Sequence, residues 1–184
     1  SGAQNRDEAI FGFKIFKVIA DHLTKNGIAV LRYDDRGVGG TKGKTVNQST
    51  TEDFAGDVLA AVEYLKTRNN INPSQIGLMG HSEGGIVAPL AAGNSSDIAF
   101  MVLMAGTAVT GYDVIVEQSK LIMAADNGSK EEIEGYTKML AAVNDAVKNN
   151  TPLEVVRVQI RNYIIENFEN IPKEERKNIK DKEK

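Results

Sequence analysis

Five residues in the middle of the chain, Gly80-His81-Ser82-Glu83-Gly84, have the types and spacing for nucleophilic catalysis. They fit the pattern G-x-S-x-G, in which a serine stands on a tight turn between a strand and a helix. Such a turn lifts the hydroxyl clear of the sheet, and its crowded backbone needs a glycine two residues away on each side. The amide of Glu83, at the start of the next helix, can help to hold the oxyanion that forms when Ser82 attacks a carbonyl. The motif therefore predicts acyl-transfer chemistry at Ser82.

The residues on either side of this motif place it at a strand-to-helix junction. Residues 76–79 form a short apolar run that leads straight into Gly80, which predicts a strand. Small residues follow the motif, which suits a helix packed closely on a sheet. They are Gly84, Gly85, Ala88, Ala91 and Ala92. Chance alone gives roughly 0.07 such motifs in a chain of this composition, so a glycine-rich turn with an incidental serine is the weaker interpretation.

Strand and helix patterns alternate through the first part of the chain, which predicts an α/β fold with a parallel sheet flanked by helices. The strand patterns lie at residues 28–33, 75–79 and 99–104, and the helix patterns at residues 10–25 and after Thr50 or Thr51. The first strand pattern indicates a buried strand. We expect residues 1–112 to form this portion of an α/β core.

The pattern changes at residue 113, after which helices follow without another strand. The helical patterns cover residues 114–126, 130–148 and 152–168. Capping-box spacing marks two of the starts, where Ser129 precedes Glu132 and Thr151 precedes Glu154. Residues 173–184 are almost all charged, which indicates a solvated helix or a frayed end. We expect residues 113–184 to form a helical cap or lid.

Composition limits the function classes. With 41% hydrophobic and 26% charged residues, the 184-residue chain is expected to fold as a globular protein. A net charge of −3 argues against nucleic acid or an anionic membrane as partner, since both need a basic face. No apolar run reaches the roughly 18 residues of a membrane span, and no signal peptide opens the chain. The chain has no cysteine and no metal-like spacing of histidine with carboxylates, and its compartment stays open between cytoplasm and periplasm.

Three blocks of sequence resemble the α/β-hydrolase superfamily, in particular its bacterial esterase and acyl-peptidase-like members. They are SGAQNRDE at residues 1–8, YDDRGVG at residues 33–39 and GHSEGG at residues 80–85. The resemblance implies a serine hydrolase that needs no cofactor and cleaves small carboxylic esters, or amides and peptides. It implies that the first block supplies the second oxyanion N–H, from Ala3 or a neighbour, and that the second block shapes the edge of the site. The helices after residue 113 resemble the cap, whose apolar face meets either a lipophilic substrate or its own neighbouring helices.

The chain departs from this family in its catalytic base. In the family, the acid and then the histidine follow the serine, on loops near the C-terminal end. His81 adjoins Ser82 and is expected to shape the turn, while His22 lies in line with the apolar face of a helix, so neither resembles the base. Asp113 is a weak substitute for the acid. Either the chain is part of a longer enzyme, which we favour, or it is a relative that has lost catalysis and serves as a binding module.

Taken alone, the chain is expected to lack both a complete active site and a complete sheet. In the family's sheet, a strand lies between those that match residues 28–33 and 75–79, and here it would precede residue 1. Parallel neighbours sit about 4.8 Å apart, so two strands that flank a third cannot simply close the gap, and unpaired buried amides are costly. We expect the isolated chain to be inactive toward short-chain esters and to borrow a strand, form a homo-oligomer or expose apolar surface.

A second glycine-rich stretch, residues 37–45, is similar to a phosphate-binding loop. Such a loop needs glycine where Val38 stands and a helix that begins at Lys44, whereas residues 46–51 have the pattern of a loop. Asp34 and Asp35 would also repel a phosphate. We therefore expect these glycines to turn the chain away from the end of a strand.

Overall fold

The computed structural model describes residues 3–166 of the chain. The chain divides into two compact units, one ending at Thr107 and the other beginning at Ala108. The sequence analysis placed this division at residue 113, a few residues later. The two units are described separately below.

The first unit contains the elements of an α/β fold. In chain order they are β1 (Ala9–Ile10), β2 (Phe13–Lys14), α1 (Ile15–Lys25), a 3-10 turn (Val46–Gln48), α2 (Thr51–Lys66), a 3-10 turn (Pro73–Gln75), β3 (Gly77–His81), α3 (Gly84–Gly93) and β4 (Phe100–Met104). β1 and β2 pair as a small antiparallel hairpin. β3 and β4 pair in parallel, in a register that sets Gly77 opposite Phe100 and His81 opposite Met104. Parallel neighbours need a crossover, and α3 supplies it, so the predicted α/β class is confirmed.

Small apolar side chains join α2 and α3 in the core of this unit. Ala55 of α2 is buried together with Val87 and Ala91 of α3, and Ala91 has no exposed surface. Partly buried side chains complete the cluster: Phe54, Val58, Leu59, Leu78, Leu90 and Ile98. Because alanine lets neighbouring backbones approach closely, α3 packs against both α2 and β3. The packing of α3 on α2 and β3 thereby holds the corner between β3 and α3 in place.

The predicted buried strand at residues 28–33 is wrong for the described chain. These residues form no ladder with another strand, and Ile28, Leu31 and Tyr33 are exposed. A strand forms only where a neighbour accepts its hydrogen bonds, and the described residues offer none beside this segment. An apolar run of this kind suits a strand in a sheet, but it carries no information about which other strands lie beside it.

Some element boundaries also differ from the predicted ones. The helix expected at residues 10–25 begins only at Ile15, because Phe11 and Gly12 have φ of 49° and 83° and turn the β1–β2 hairpin. Left-handed residues cannot continue a helix. β3 starts two residues later than expected and runs to His81, directly before the serine.

The described part of the second unit is helical. It contains α4 (Gly111–Ala125), α5 (Lys130–Lys148) and α6 (Leu153–Glu166), with α4 packed on α5 and α5 on α6. The first predicted capping box is confirmed, since the Glu132 amide donates to Ser129 Oγ at 3.1 Å and the Ser129 amide donates to Glu132 Oε2 at 2.7 Å. Its role as a cap over a site stays a prediction. The charged stretch at residues 173–184 and the predicted helix end at residue 168 lie outside the described residues.

The second predicted capping box, Thr151 with Glu154, is wrong. α6 begins at Leu153, so Pro152, which has no side-chain oxygen, takes the capping position. The carboxylate of Glu154 instead accepts a hydrogen bond from Arg157 at 2.9 Å. A start one residue later than expected is enough to take Thr151 out of capping range.

Candidate active site

Ser82 occupies the sharp corner between β3 and α3. Its φ of 54° lies in the left-handed region, which residues other than glycine adopt at an energetic cost. Two backbone hydrogen bonds hold this conformation: the Ser82 amide donates to Met104 of β4 at 3.0 Å, and the Gly85 amide donates to the Ser82 carbonyl at 2.9 Å. Ser82 is half-buried, and its hydroxyl makes no hydrogen bond within residues 3–166. The corner therefore presents a free hydroxyl on a strained backbone.

The glycines around this serine differ in what they contribute. A Cβ at Gly80 would lie 2.1 Å from the carbonyl oxygen of Gly84, and a Cβ at Gly85 would lie 2.4 Å from Cα of Gly106. A Cβ at Gly84 would meet nothing within 4 Å. The expectation that crowding requires glycine on both sides of Ser82 is thus correct for Gly80 and wrong for Gly84. The second crowded position is Gly85, where α3 passes close to the chain that leaves β4.

The amide of Glu83, which the sequence predicts as an oxyanion donor, lies at the start of α3, and its role there stays a prediction. Glu83 is the N-cap of α3, with φ −57° and ψ −31°, and its amide has no acceptor within the described residues. The side chain turns to the start of α2, where the Thr51 hydroxyl donates to its carboxylate at 3.4 Å. The first amides of a helix carry partial positive charge, so an unpaired one beside a nucleophile suits a developing anion.

His81 directs its ring toward the N-terminal segment. Its Nδ1 lies 3.1 Å from Oε2 of Glu8, and the ring of Phe16 meets it edge-on, with centroids 6.0 Å apart. Among residues 3–166, no side-chain hydrogen bond joins His81 or His22 to Ser82, and His22 is exposed on α1. The sequence analysis assigned His81 a role in shaping the turn but missed Glu8. The only signal for Glu8 was its place in the block at residues 1–8.

The N-terminal loop, residues 3–8, is fastened to the two aspartates after residue 33. The Gln4 amide donates to Oδ2 of Asp35 at 2.8 Å, and the Asp35 amide donates to the Gln4 carbonyl at 3.0 Å. Arg6 donates from Nε to Oδ1 of Asp34 at 3.0 Å and from Nη2 to Oδ2 at 2.8 Å. Its backbone amide also donates to Oδ1 of Asp34, at 2.8 Å. Ala3, the expected second oxyanion donor, is exposed directly beside this anchored stretch.

The two aspartates have opposite electrostatic environments. The hydrogen bonds from Arg6 lower the pKa of Asp34 to about 2, because they stabilise the ionised carboxylate. Burial raises the pKa of Asp35 above its ordinary value, with the Gln4 amide opposing that shift. At neutral pH, Asp34 is therefore a fixed negative charge that holds Arg6 in place.

Residues 13–130 match the family described as serine aminopeptidase, S33. That stretch is more than half of the chain and includes the Ser82 corner. The chain belongs to this family of α/β-hydrolases. It is 33% identical to esterase EstD of Thermotoga maritima over 135 residues, which cover 72% of this chain and 31% of EstD. Over 82 residues it is 36% identical to thiohydrolase aneE of Aspergillus aculeatus, covering 42% of this chain and 26% of aneE.

The matched stretches cover less than a third of each relative's length, so the relatives' activities describe proteins that this chain matches only in part. What the family establishes for this chain is the α/β-hydrolase fold and membership of a hydrolase family. The corner at residues 80–85 has the sequence motif of that fold's nucleophile elbow and is called the elbow; that Ser82 is the nucleophile stays a prediction.

In this member of the α/β-hydrolase family, Arg36 joins the block at residues 33–39 to α2 by hydrogen bonds. Its Nε and Nη2 reach the two carboxylate oxygens of Asp57 at 2.6 and 2.8 Å, and Nη2 also donates to the Asp53 carbonyl at 3.1 Å. The following glycine-rich stretch leads into the 3-10 turn Val46–Gln48, and no helix begins at Lys44. That geometry argues against a phosphate-binding loop, as the sequence analysis expected.

Two further features belong to the second unit of the chain. Thr110 is the N-cap of α4: its hydroxyl donates to Oδ2 of Asp113 at 2.6 Å and accepts from the Asp113 amide at 3.2 Å. A cleft of about 430 Å³ runs between α5 and α6, and its lining includes Lys138, Met139 and Ile160 but no elbow residue. Within residues 3–166, no cluster of potential ligands could hold a metal ion, and no helix has the length and apolarity to cross a membrane.

Proposed function

We propose that the complete protein is a serine hydrolase that cleaves carboxylic esters through an acyl-enzyme on Ser82. The observation that carries this proposal is the elbow itself: a free hydroxyl on a left-handed residue, next to the unpaired amide of Glu83 at the start of α3. The printed names of the relatives, an esterase and a thiohydrolase, support acyl transfer to water.

The reaction begins when Oγ of Ser82 attacks the ester carbonyl carbon and its proton passes to a general base. The carbonyl π electrons move onto oxygen, and the amides of Glu83 and Ala3 hold the resulting oxyanion. The tetrahedral intermediate collapses, the C–O bond to the alcohol breaks, and the alcohol leaves with the proton from the base. Water then attacks the acyl-enzyme by the same route, which releases the acid and restores the Ser82 hydroxyl.

The general base and its acid partner come from parts of the protein outside these 184 residues. The ring of His81 contacts Glu8 and Phe16, and His22 is exposed on α1. A serine hydroxyl without a base is a weak nucleophile at neutral pH. We therefore expect the 184-residue chain to have no measurable turnover of short-chain esters by itself.

The second oxyanion donor is Ala3, on the loop that Gln4 and Arg6 fasten to Asp35 and Asp34. Such anchoring supplies what an oxyanion donor needs, because an amide stabilises the transition state only when its position is fixed before the reaction. The helices of the second unit are the start of a cap. A small ester fits this proposal best, with thioesters and peptides as further substrate classes.

A second candidate is a binding module in which Ser82 is a relic. The observation that favours it is the lack of a histidine in contact with Ser82 in this chain. The two candidates differ in whether Ser82 reacts in the complete protein.

The experiment is labelling of the complete protein with a fluorophosphonate probe, alongside hydrolysis of p-nitrophenyl acetate. We expect the probe to modify Ser82 and the Ser82→Ala variant to lose both labelling and turnover. Ser95→Ala, which removes a hydroxyl just beyond α3, is the matched control and should keep both. Turnover by Ser82→Ala equal to that of the unchanged protein would refute the proposal, and a folded protein that neither labels nor turns over would favour the binding module.

A further inference from the structure

Glu8 is an unusual residue for a loop. It is one of two charged residues buried within residues 3–166, and 11% of its side chain is exposed. Its φ of 44° lies in the left-handed region, which glutamate avoids. A strained backbone and a buried carboxylate persist together only where the surrounding structure requires them.

His81 gives this carboxylate its partner. With Nδ1–H as donor, the ring hydrogen-bonds Oε2 of Glu8 at 3.1 Å, and the edge-on contact with Phe16 supports the ring from another side. His81 directly precedes Ser82 and lies two positions before Glu83. Its ring nevertheless turns toward the N-terminal loop.

The other anchors of that loop lead elsewhere. Gln4 and Arg6 bind Asp35 and Asp34, in the block that Arg36 fastens to α2. Among the hydrogen bonds of the described residues, the one between Glu8 and His81 joins the N-terminal loop to the elbow. Within residues 3–166, this hydrogen bond is thus the direct polar contact between the loop and the elbow.

We propose that Glu8 and His81 are positioning residues, which hold the loop against the elbow so that the amides of Ala3 and Glu83 face the same oxyanion. This inference rests on the proposed function, in which those two amides stabilise the transition state. A shift between loop and elbow moves one amide relative to the other and leaves the Ser82 hydroxyl in place. Because a misplacement of about 1 Å costs about 100-fold in rate, the pair acts on kcat.

The test separates the reach of the Glu8 side chain from its charge. Glu8→Gln keeps the length and an acceptor oxygen, while Glu8→Asp keeps the charge and is one methylene shorter. In the complete protein with p-nitrophenyl acetate, we expect Glu8→Gln to keep kcat within about threefold and Glu8→Asp to lose about 10- to 100-fold, each with KM changed less than about twofold. The inhibition constant of a trifluoromethyl ketone, which forms an oxyanion on Ser82, should rise by the same factor in Glu8→Asp.

The matched control is Asp97→Asn, which breaks an ion pair of 2.6 Å with Lys66 that involves neither the loop nor the elbow. It should leave kcat and the inhibition constant unchanged, while the melting temperature of every variant reports on stability. Unchanged kinetics in Glu8→Asp overturn the proposal. So does an equal loss in Glu8→Gln, because a side chain of the right length with an acceptor oxygen would then not be enough to position the loop.

A second pair of variants decides the matter should Glu8→Asp fail to fold. His81→Asn carries an N–H near the position of Nδ1 and is expected to keep kcat within about threefold, whereas His81→Leu lacks a donor and should lose about 10- to 100-fold. Equal kinetics in these two variants refute the positioning role. Activity that survives Ser82→Ala refutes the proposed function instead, and normal kinetics in Glu8→Asp beside an inactive Ser82→Ala refute the pair alone.

Discussion

The elbow at residues 80–85 and the N-terminal loop at residues 3–8 meet through one hydrogen bond, yet different forces hold them. The elbow is fixed by backbone packing at Gly80 and Gly85 and by backbone hydrogen bonds of Ser82. The loop is fixed by charged side chains, above all Arg6 on Asp34. Steric contacts do not respond to pH or salt, whereas ion pairs respond to both. The position of the proposed nucleophile is therefore insensitive to pH and salt, whereas the proposed oxyanion loop is held by ion pairs that acid or salt can weaken.

The largest expected effect separates two glycines of the elbow. Gly80→Ala should destabilise the protein by about 3 kcal/mol or more, because its Cβ would overlap the Gly84 carbonyl oxygen, which is backbone and cannot swing away. Gly84→Ala should change the free energy of unfolding by less than about 1 kcal/mol, since the space there is open and alanine favours a helix. Urea denaturation of both variants makes the comparison. Equal destabilisation of the two variants would show that local crowding does not explain why glycine is needed at Gly80.

Removal of Arg6, the cation that anchors the N-terminal loop, should have a smaller effect, which appears in kcat. We expect Arg6→Ala to lower kcat about tenfold in the complete protein, because the Ala3 amide loses its anchor while Ser82 keeps its place. The control is Lys25→Ala, which removes an exposed cation paired with Asp21 at 2.6 Å on α1. Steady-state kinetics with p-nitrophenyl acetate measure both. A kcat for Arg6→Ala that matches the control would show that this ion pair does not hold a catalytic loop.

The strained φ of Ser82 should make the Ser82→Gly variant more stable than the Ser82→Ala variant by about 1 kcal/mol. Ser82→Gly abolishes the hydroxyl but accepts a φ of 54° freely, whereas Ser82→Ala keeps the unfavourable Cβ. We expect both variants to be inactive and the glycine variant to unfold at higher urea concentration than the alanine variant. The reverse order would argue that the corner is unstrained.

The sequence predicted the elbow well because its signal is local. Gly80, Ser82 and Gly84 lie within one turn, and a strand-to-helix order can be read from the residues on either side. Residues 28–33 show the limit, because their apolar run fits a buried strand and yet a strand depends on neighbours distant in sequence. Glu8 shows a second limit: its partner His81 is 73 positions away, and no periodicity connects them.

The smallest expected effect is a loss of the stability that the ion pair of Asp34 with Arg6 contributes as the pH falls. The folded pKa of Asp34, about 2, is below its ordinary value of 3.8, so the ion pair with Arg6 stabilises the fold fully above that ordinary value and loses its effect as pH falls through about 2. The difference in free energy of unfolding between the unchanged protein and Asp34→Asn should therefore shrink between pH 5 and pH 2. The raised pKa of Asp35 acts in the opposite direction, but burial, its largest cause, is common to both proteins, and only the smaller contribution from the Asp34 charge differs between them. A difference that is constant over this range would contradict the assignment.

The contact between Gly85 and Gly106 restricts how this protein can change in evolution. Most packing defects can be repaired by a smaller residue opposite the enlarged one. Here the residue opposite is already the smallest, with a Cβ at Gly85 only 2.4 Å from Cα of Gly106, so no second-site substitution within the pair can make room. A library of all substitutions should find Gly85 closed to change, whereas a Cβ at Gly106 would lie 3.2 Å from Cα of Gly85 and needs only a small shift of α3 away from β4. The spacing between that helix and strand is thus the least adaptable dimension of the site.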